Sequence, residues 1–168
     1  PYAILRVEDQ RGGVLWQPEP VRVPVLSQEE AWIVVDMMKD VVQRGTAYGA
    51  VWGAGFRVPA GGKTGTTNDG TNVWFIGYTP DLVAGVWMGL DRPSEIKANA
   101  QGGVLAAPAW TAFMTEAYRR KPIPPDWPRP EAVVSRVIDR STALLRNPFC
   151  PDSLVVTEFY VPGTEPIR

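Results

Sequence analysis

A chain of 168 residues, 45% hydrophobic and 21% charged, is long enough to bury one core and too apolar for wholesale disorder. Its net charge of −1 gives no electrostatic case for nucleic acid or for an anionic membrane. With no histidine and a single cysteine, Cys150, the chain excludes within itself a Ser-His-Asp triad, a Cys-His dyad, a histidine-ligated metal, a cysteine zinc site and an internal disulfide. A buried, inert thiol is the expected state of Cys150. Seven tryptophans point first to aromatic packing and second to a groove. No apolar run reaches the length of a bilayer span, and the sequence opens on Pro1 without methionine, so a processed or truncated product is expected.

In chain order, residues 2–7 are apolar and β-favouring, 8–13 form a turn, and Val14-Leu15-Trp16 resumes the apolar run, which predicts a β-hairpin. Pro18, Pro20 and Pro24 make an extended connector. Ser27 with Glu30 is a capping box, and Ala31, Val34, Val35, Met38, Val41 and Val42 follow at helical spacing, so a helix is expected over 28–44. Trp32, Ile33 and Met37 widen its apolar face, which predicts burial on more than one side. Strands are expected over 60–66, 72–77 and 82–88, joined by turn-forming residues into an antiparallel meander.

Residues 90–103 read as a polar surface loop, and a second helix is expected from Ala106 or Pro108 to about Arg120. The proline-rich run 121–130 cannot be regular structure, and strand-like segments return at 133–138 and 154–160. The expected organisation is a main domain over 1–120, a linker over 121–130 and an extension over 131–168 that leans on the main domain. The expected class is α+β, an antiparallel sheet of about five strands (hairpin plus meander) packed with helices.

The chemistry concentrates at Gly61-Gly62-Lys63-Thr64-Gly65-Thr66-Thr67. A strand lysine beside a cleft is a fixed positive charge with three donors, able to hold a carboxylate or lower the pKa of a neighbouring hydroxyl. Thr64 and Thr66 add hydroxyls suited to a carboxylate, and Gly65 leaves the backbone open to a ligand. The amide of Thr66 could form half of an oxyanion hole, and an extended peptide could pair along the strand edge. The plain alternative is a solvated edge lysine that discourages sheet-to-sheet association. Gly62-Lys63-Thr64 also resembles the end of a phosphate-binding loop, but the glycine that loop needs five positions earlier is Arg57, and a strand follows rather than a helix.

The surrounding series decides between these readings. Gly45-Thr46-Ala47, Gly62 to Thr67, Trp74-Phe75-Ile76-Gly77-Tyr78-Thr79-Pro80 and Val86-Trp87-Met88-Gly89-Leu90-Asp91 together resemble the transpeptidase domain of class A penicillin-binding proteins. Ala106-Ala107-Pro108-Ala109-Trp110, Gly163-Thr164-Glu165-Pro166 and the opening hairpin look like the same family, so the resemblance covers essentially the whole chain. It implies a penicillin-binding protein/serine β-lactamase-like fold, here incomplete, and a peptidoglycan D,D-transpeptidase acting through an acyl-serine on D-Ala-D-Ala stem peptides and β-lactams. Lys63 would face the serine of a Ser-x-Asn motif, Thr64 and Thr66 would bind the donor carboxylate, and the Thr66 amide would serve the oxyanion.

The resemblance implies no metal and no organic cofactor, and an extracytoplasmic parent. The chain departs from the pattern in having no Ser-x-Asn and no Ser-x-x-Lys upstream of Lys63. Ser94-Glu95-Ile96-Lys97 matches only literally, in a polar loop after the motif strand, and Asn72 stands where an aspartate is expected. The chain alone is therefore expected to be inactive, its partner being the missing N-terminal half of the same domain. A non-catalytic module that binds peptidoglycan peptides or a partner protein along the same strand edge is the alternative.

Overall fold

The computed structural model describes residues 4–19 and 23–167. Tyr2, where the first expected strand begins, and Pro20 of the connector lie outside the described residues. The hairpin forms as β1 (Val7–Glu8) and β2 (Val14–Trp16), closed by Asp9, whose Oδ1 accepts from the amides of Arg11 and Gly13 at 2.8 Å. It is a sheet of its own, so the five expected strands fall into two sheets, of two and three strands. Every residue of β1 and β2 is exposed, the apolar Val7, Val14, Leu15 and Trp16 included, and two strands alone are too few to bury an apolar face.

Helix α1 spans Gln28–Gln43 and begins on the expected box: Ser27 Oγ accepts from the amide of Glu30 at 3.1 Å, and Glu30 Oε2 accepts from that of Ser27 at 2.8 Å. Burial on several sides is not what it shows. Val42 alone is fully buried, and Val34 and Met37 are exposed.

The meander is β3 (Gly61–Thr66), β4 (Asn72–Tyr78) and β5 (Val83–Gly89), paired antiparallel in that order. Because side chains alternate, Val73 and Phe75 share one face with the positions of Thr64, Thr66 and Val86, while Trp74, Ile76 and Trp87 share the other with Lys63 and Gly65. The first face is covered by α2 (Gly102–Arg119), through Ala106, Ala107, Trp110 and Met114. On the second, Tyr78 donates a hydrogen bond to Met38 Sδ of α1 at 3.4 Å, but Trp74, Ile76 and Trp87 remain 45–48% exposed and Val83 75%.

Helix α2 starts at Gly102, earlier than expected, and carries Pro108 in its interior. Proline there removes one intrahelical hydrogen bond, a cost that burial of six residues of the helix outweighs. At its far end Tyr118 and Lys121 both bind Asp81, tying α2 to the β4–β5 turn and holding the Asp81 carboxyl below its usual range.

Residues 121–130 contain no regular structure but pack against α1: Trp32 Nε1 donates to the Trp127 carbonyl at 3.3 Å and Lys39 pairs with Asp126 at 2.6 Å. Strands β6 (Val134–Asp139), β7 (Leu144–Leu145) and β8 (Val155–Tyr160) make a third antiparallel sheet, order β7-β6-β8. It rests on α1 through an edge-to-face contact of Phe159 with Trp32, centroids 5.1 Å apart, and through Arg44 with Glu158 at 3.7 Å. Cys150 is half-buried rather than buried, its sulfur accepting from the amide of Asn147 at 3.4 Å.

At this seam, burial pushes the Asp36 carboxyl above its usual range, with Lys39 pulling it back. A carboxyl whose pKa rises on folding opposes folding above that raised value and ceases to do so once pH falls below its unfolded value. Asp36→Asn should therefore raise the melting temperature by about 1 °C at pH 7, solvent screening keeping the effect small. The gain should shrink as pH falls through the raised pKa and vanish below the unfolded one. Scanning calorimetry across that range checks it; an equal gain at every pH would contradict it.

Candidate active site

Thr64 and Thr66, at alternate positions of β3, open on one side into a cavity of about 720 Å³. Thr46 lies beside them, its hydroxyl 3.0 Å from that of Thr64. The floor is the start of α2: the amide of Gly102 donates to Thr66 Oγ1 at 3.1 Å. Having accepted that bond, the Thr66 hydroxyl keeps its own hydrogen for a ligand.

This seam tolerates only glycine. A Cβ on Gly102 would stand 2.2 Å from the Trp74 carbonyl oxygen and 2.7 Å from that of Gly65, and one on Gly103 would stand 2.1 Å from the Thr46 carbonyl oxygen. The expectation that residues through 103 form a surface loop fails here, because the Gly102-Gly103 pair is the first turn of α2 docked onto β3 and β4.

The far wall comes from the β3–β4 turn and from the segment before α2: Asn68, Asp69, Glu95, Asn99 and Gln101. Asp69 Oδ1 accepts from the Thr71 hydroxyl at 2.9 Å, and hydrogen bonds from Thr67 and Thr71 hold its carboxyl below the usual range. The amide of Ile96 donates to the Gly70 carbonyl at 3.2 Å and ties the two segments together.

Lys63 and Gly65 occupy the alternate positions and are not among the residues lining the cavity. Lys63 Nζ donates to the carbonyl of its neighbour Thr64 at 2.7 Å, and Gly65 sits under Trp74, whose Cβ would be 3.2 Å from a Cβ added there. Of the four residues singled out in sequence, two meet in the cavity. Asn72 accepts from Trp87 Nε1 at 2.9 Å and donates from Nδ2 to the Thr71 hydroxyl at 3.1 Å, and the second bond is one that an ionised aspartate could not donate. Among the described residues no three His, Cys, Asp or Glu side chains converge for a metal ion, and no helix is long and apolar enough to cross a membrane.

Residues 1–115 match the family model described as the penicillin binding protein transpeptidase domain. The chain belongs to this family. Residues 129–168 match a second model, the C-terminal domain of penicillin-binding protein 1A. Curated relatives agree: penicillin-binding protein 1A of Pseudomonas aeruginosa is 31% identical over 90% of this chain and 24% of its own length. That of Aquifex aeolicus is 34% identical over 99% of this chain and 22% of its own length. That of Neisseria lactamica is 36% identical over 72% of this chain and 16% of its own length. The chain thus spans about a quarter or less of these relatives. A crystal structure of penicillin-binding protein 1A from Haemophilus influenzae superposes over 100% of the chain and 30% of its own, with a TM-score of 0.74 at 24% identity, which bears out the α+β fold. As a transpeptidase-family segment, the chain places the Lys-Thr-Gly strand at a cavity closed by the start of α2.

Proposed function

We propose that this chain supplies the Lys-Thr-Gly strand of a peptidoglycan D,D-transpeptidase that works through an acyl-serine intermediate and is acylated by β-lactams. The observation that carries the reading is the pair of hydroxyls, Thr64 and Thr66, lining one cavity with the Thr66 donor freed by the Gly102 amide. They suit the carboxylate of a D-Ala-D-Ala peptide, to which a hydroxyl hydrogen bond contributes more than to a neutral group. Lys63 would turn from the Thr64 carbonyl toward a serine outside this chain and support proton transfer, and the Thr66 amide would serve the oxyanion.

The nucleophile would come from the missing N-terminal half of the domain. The face of Trp74, Ile76 and Trp87 and the edge of β5, which pairs with no further strand among the described residues, are where that half would complete the sheet. The parent would work outside the cytoplasm, with residues 131–168 carried as an extension on α1.

Intact mass spectrometry with a penicillin tests the catalytic part: no mass should be gained by the chain alone, and a stable adduct on Ser94 would overturn the assignment. For the carboxylate part, Thr66→Val should weaken binding of a D-Ala-D-Ala peptide about tenfold in a titration followed by NMR, with Thr66→Ser restoring it. Reversible binding that persists unchanged in Thr66→Val would instead favour a non-catalytic module using another part of the strand edge.

A further inference from the structure

A chain of hydrogen bonds starts on one face of the meander and ends at the cavity beside the other. Trp87 Nε1 donates to Asn72 Oδ1 at 2.9 Å, and Asn72 Nδ2 donates to the Thr71 hydroxyl at 3.1 Å. That hydroxyl in turn donates to Asp69 Oδ1 at 2.9 Å. Each end permits one direction only. An indole N–H cannot accept and an ionised carboxylate cannot donate, so the Asn72 amide and the Thr71 hydroxyl between them are both oriented. Thr71 is buried, and its hydroxyl depends on these partners. The sheet makes room for the contact: Gly89 pairs with Asn72, and a Cβ on it would collide with the Trp87 ring and stand 3.0 Å from Asn72 Oδ1.

At its far end the chain of bonds reaches the cavity wall. Thr67, Asn68, Asp69 and Gly70 all line the cavity. Asp69 Oδ1 also accepts from the Thr71 amide at 3.3 Å, and the Thr67 hydroxyl accepts from the Asn72 amide at 2.9 Å. At the near end, Trp87 is half-exposed beside Trp74, on the face of the sheet opposite Thr64 and Thr66.

We infer that Asn72 is a positioning residue for the cavity: held by Trp87, it aims the Thr71 hydroxyl at Asp69, sets the β3–β4 turn and couples the tryptophan face of the sheet to the cavity wall. Anything that turns the Trp87 indole then acts on the cavity without touching it, whatever ligand the cavity takes. An ionised aspartate at 72 would keep the bond from Trp87 but compete with Asp69 for the Thr71 hydrogen.

NMR titration of the Asp69 carboxyl in the whole chain tests this, with Asn72→Leu and Trp87→Phe as variants that add no charge. Donation from Thr67 and Thr71 holds that carboxyl below its usual range, so weakening the Thr71 bond should move its midpoint upward. Both variants should show the rise. Exchange of the Gly70 amide, which donates to the Thr67 carbonyl at 2.9 Å, should quicken about three- to tenfold. The double variant should do no more than Asn72→Leu alone, because Trp87 acts through Asn72. Glu95, the other charged side chain of the lining, keeps its charge throughout, so its influence is common to all.

An unchanged Asp69 midpoint in Asn72→Leu would overturn the inference even if the melting temperature fell, since bonds that merely brace the strands would have that effect. A rise in Asn72→Leu with none in Trp87→Phe would break the link to the tryptophan face and overturn the coupling.

Discussion

Gly102→Ala is expected to be among the most damaging single substitutions in the chain, lowering the melting temperature by about 6–12 °C for a cost of about 3 kcal/mol. The reason is the identity of the obstructing atoms. The added methyl would meet two backbone carbonyl oxygens, of Trp74 at 2.2 Å and of Gly65 at 2.7 Å, and neither can rotate aside as a side chain could. Either α2 lifts off the sheet or β3 and β4 shift, and both movements break the bond from the Gly102 amide to Thr66. Peptide affinity should therefore fall as well, even in whatever fraction remains folded. Gly49→Ala is the control: it too replaces a glycine outside a strand, but nothing lies within 4 Å of the new methyl, so its melting temperature should stay within about 1 °C of the parent. Equal melting temperatures for the two variants would mean that α2 does not dock on the strand as closely as these distances require.

That contact also marks where the sequence stops being legible. The meander could be read almost to the residue because its information is local: alternation within each strand and turn chemistry between them. The start of α1 was equally legible, since a capping box involves only Ser27 and Glu30. Gly102-Gly103 gave the wrong local message, because two glycines argue against a helix until the neighbouring strands impose the requirement for no side chain, and Pro108, suited to a first turn, set the expected start too late.

The same distinction divides the site. Thr64 and Thr66 are two apart, so period-2 alternation already placed them on one side and Lys63 on the other, a consequence of the strand assignment that the motif itself obscures. Glu95, Asn99 and Gln101 reach the cavity only because α2 docks on β3 and carries the preceding segment with it, and nothing in their spacing announces this. The hairpin shows the converse: its strands were readable, whereas its partner sheet was a matter of which faces need burial.

Trp110→Ala should cost about 3–5 kcal/mol, a large share of the roughly 5–15 kcal/mol that stabilises a domain of this kind. Trp110 is fully buried and stacks edge-to-face on Phe75, centroids 5.3 Å apart, and on Phe56 at 5.5 Å. It joins α2, the β4 strand and the segment after α1 in one contact. The indole also donates to the Gly77 carbonyl at 3.2 Å, and a Cβ on Gly77 would stand 2.6 Å from the ring, so the sheet is shaped around it. Truncation to alanine leaves a cavity that these rings cannot fill without moving the strand, and it strips the buried carbonyl of its donor.

Trp110→Phe separates the two effects, since it keeps most of the packing and loses the donor, and it should cost about 1–3 kcal/mol. Urea unfolding of the three proteins should give midpoints in the order parent, phenylalanine, alanine, with the same slope if the unfolded states are alike. A phenylalanine variant as unstable as the alanine one would assign the cost to the lost hydrogen bond rather than to the cavity. An alanine variant within about 1 kcal/mol of the parent would mean that the sheet does not depend on α2 for its core.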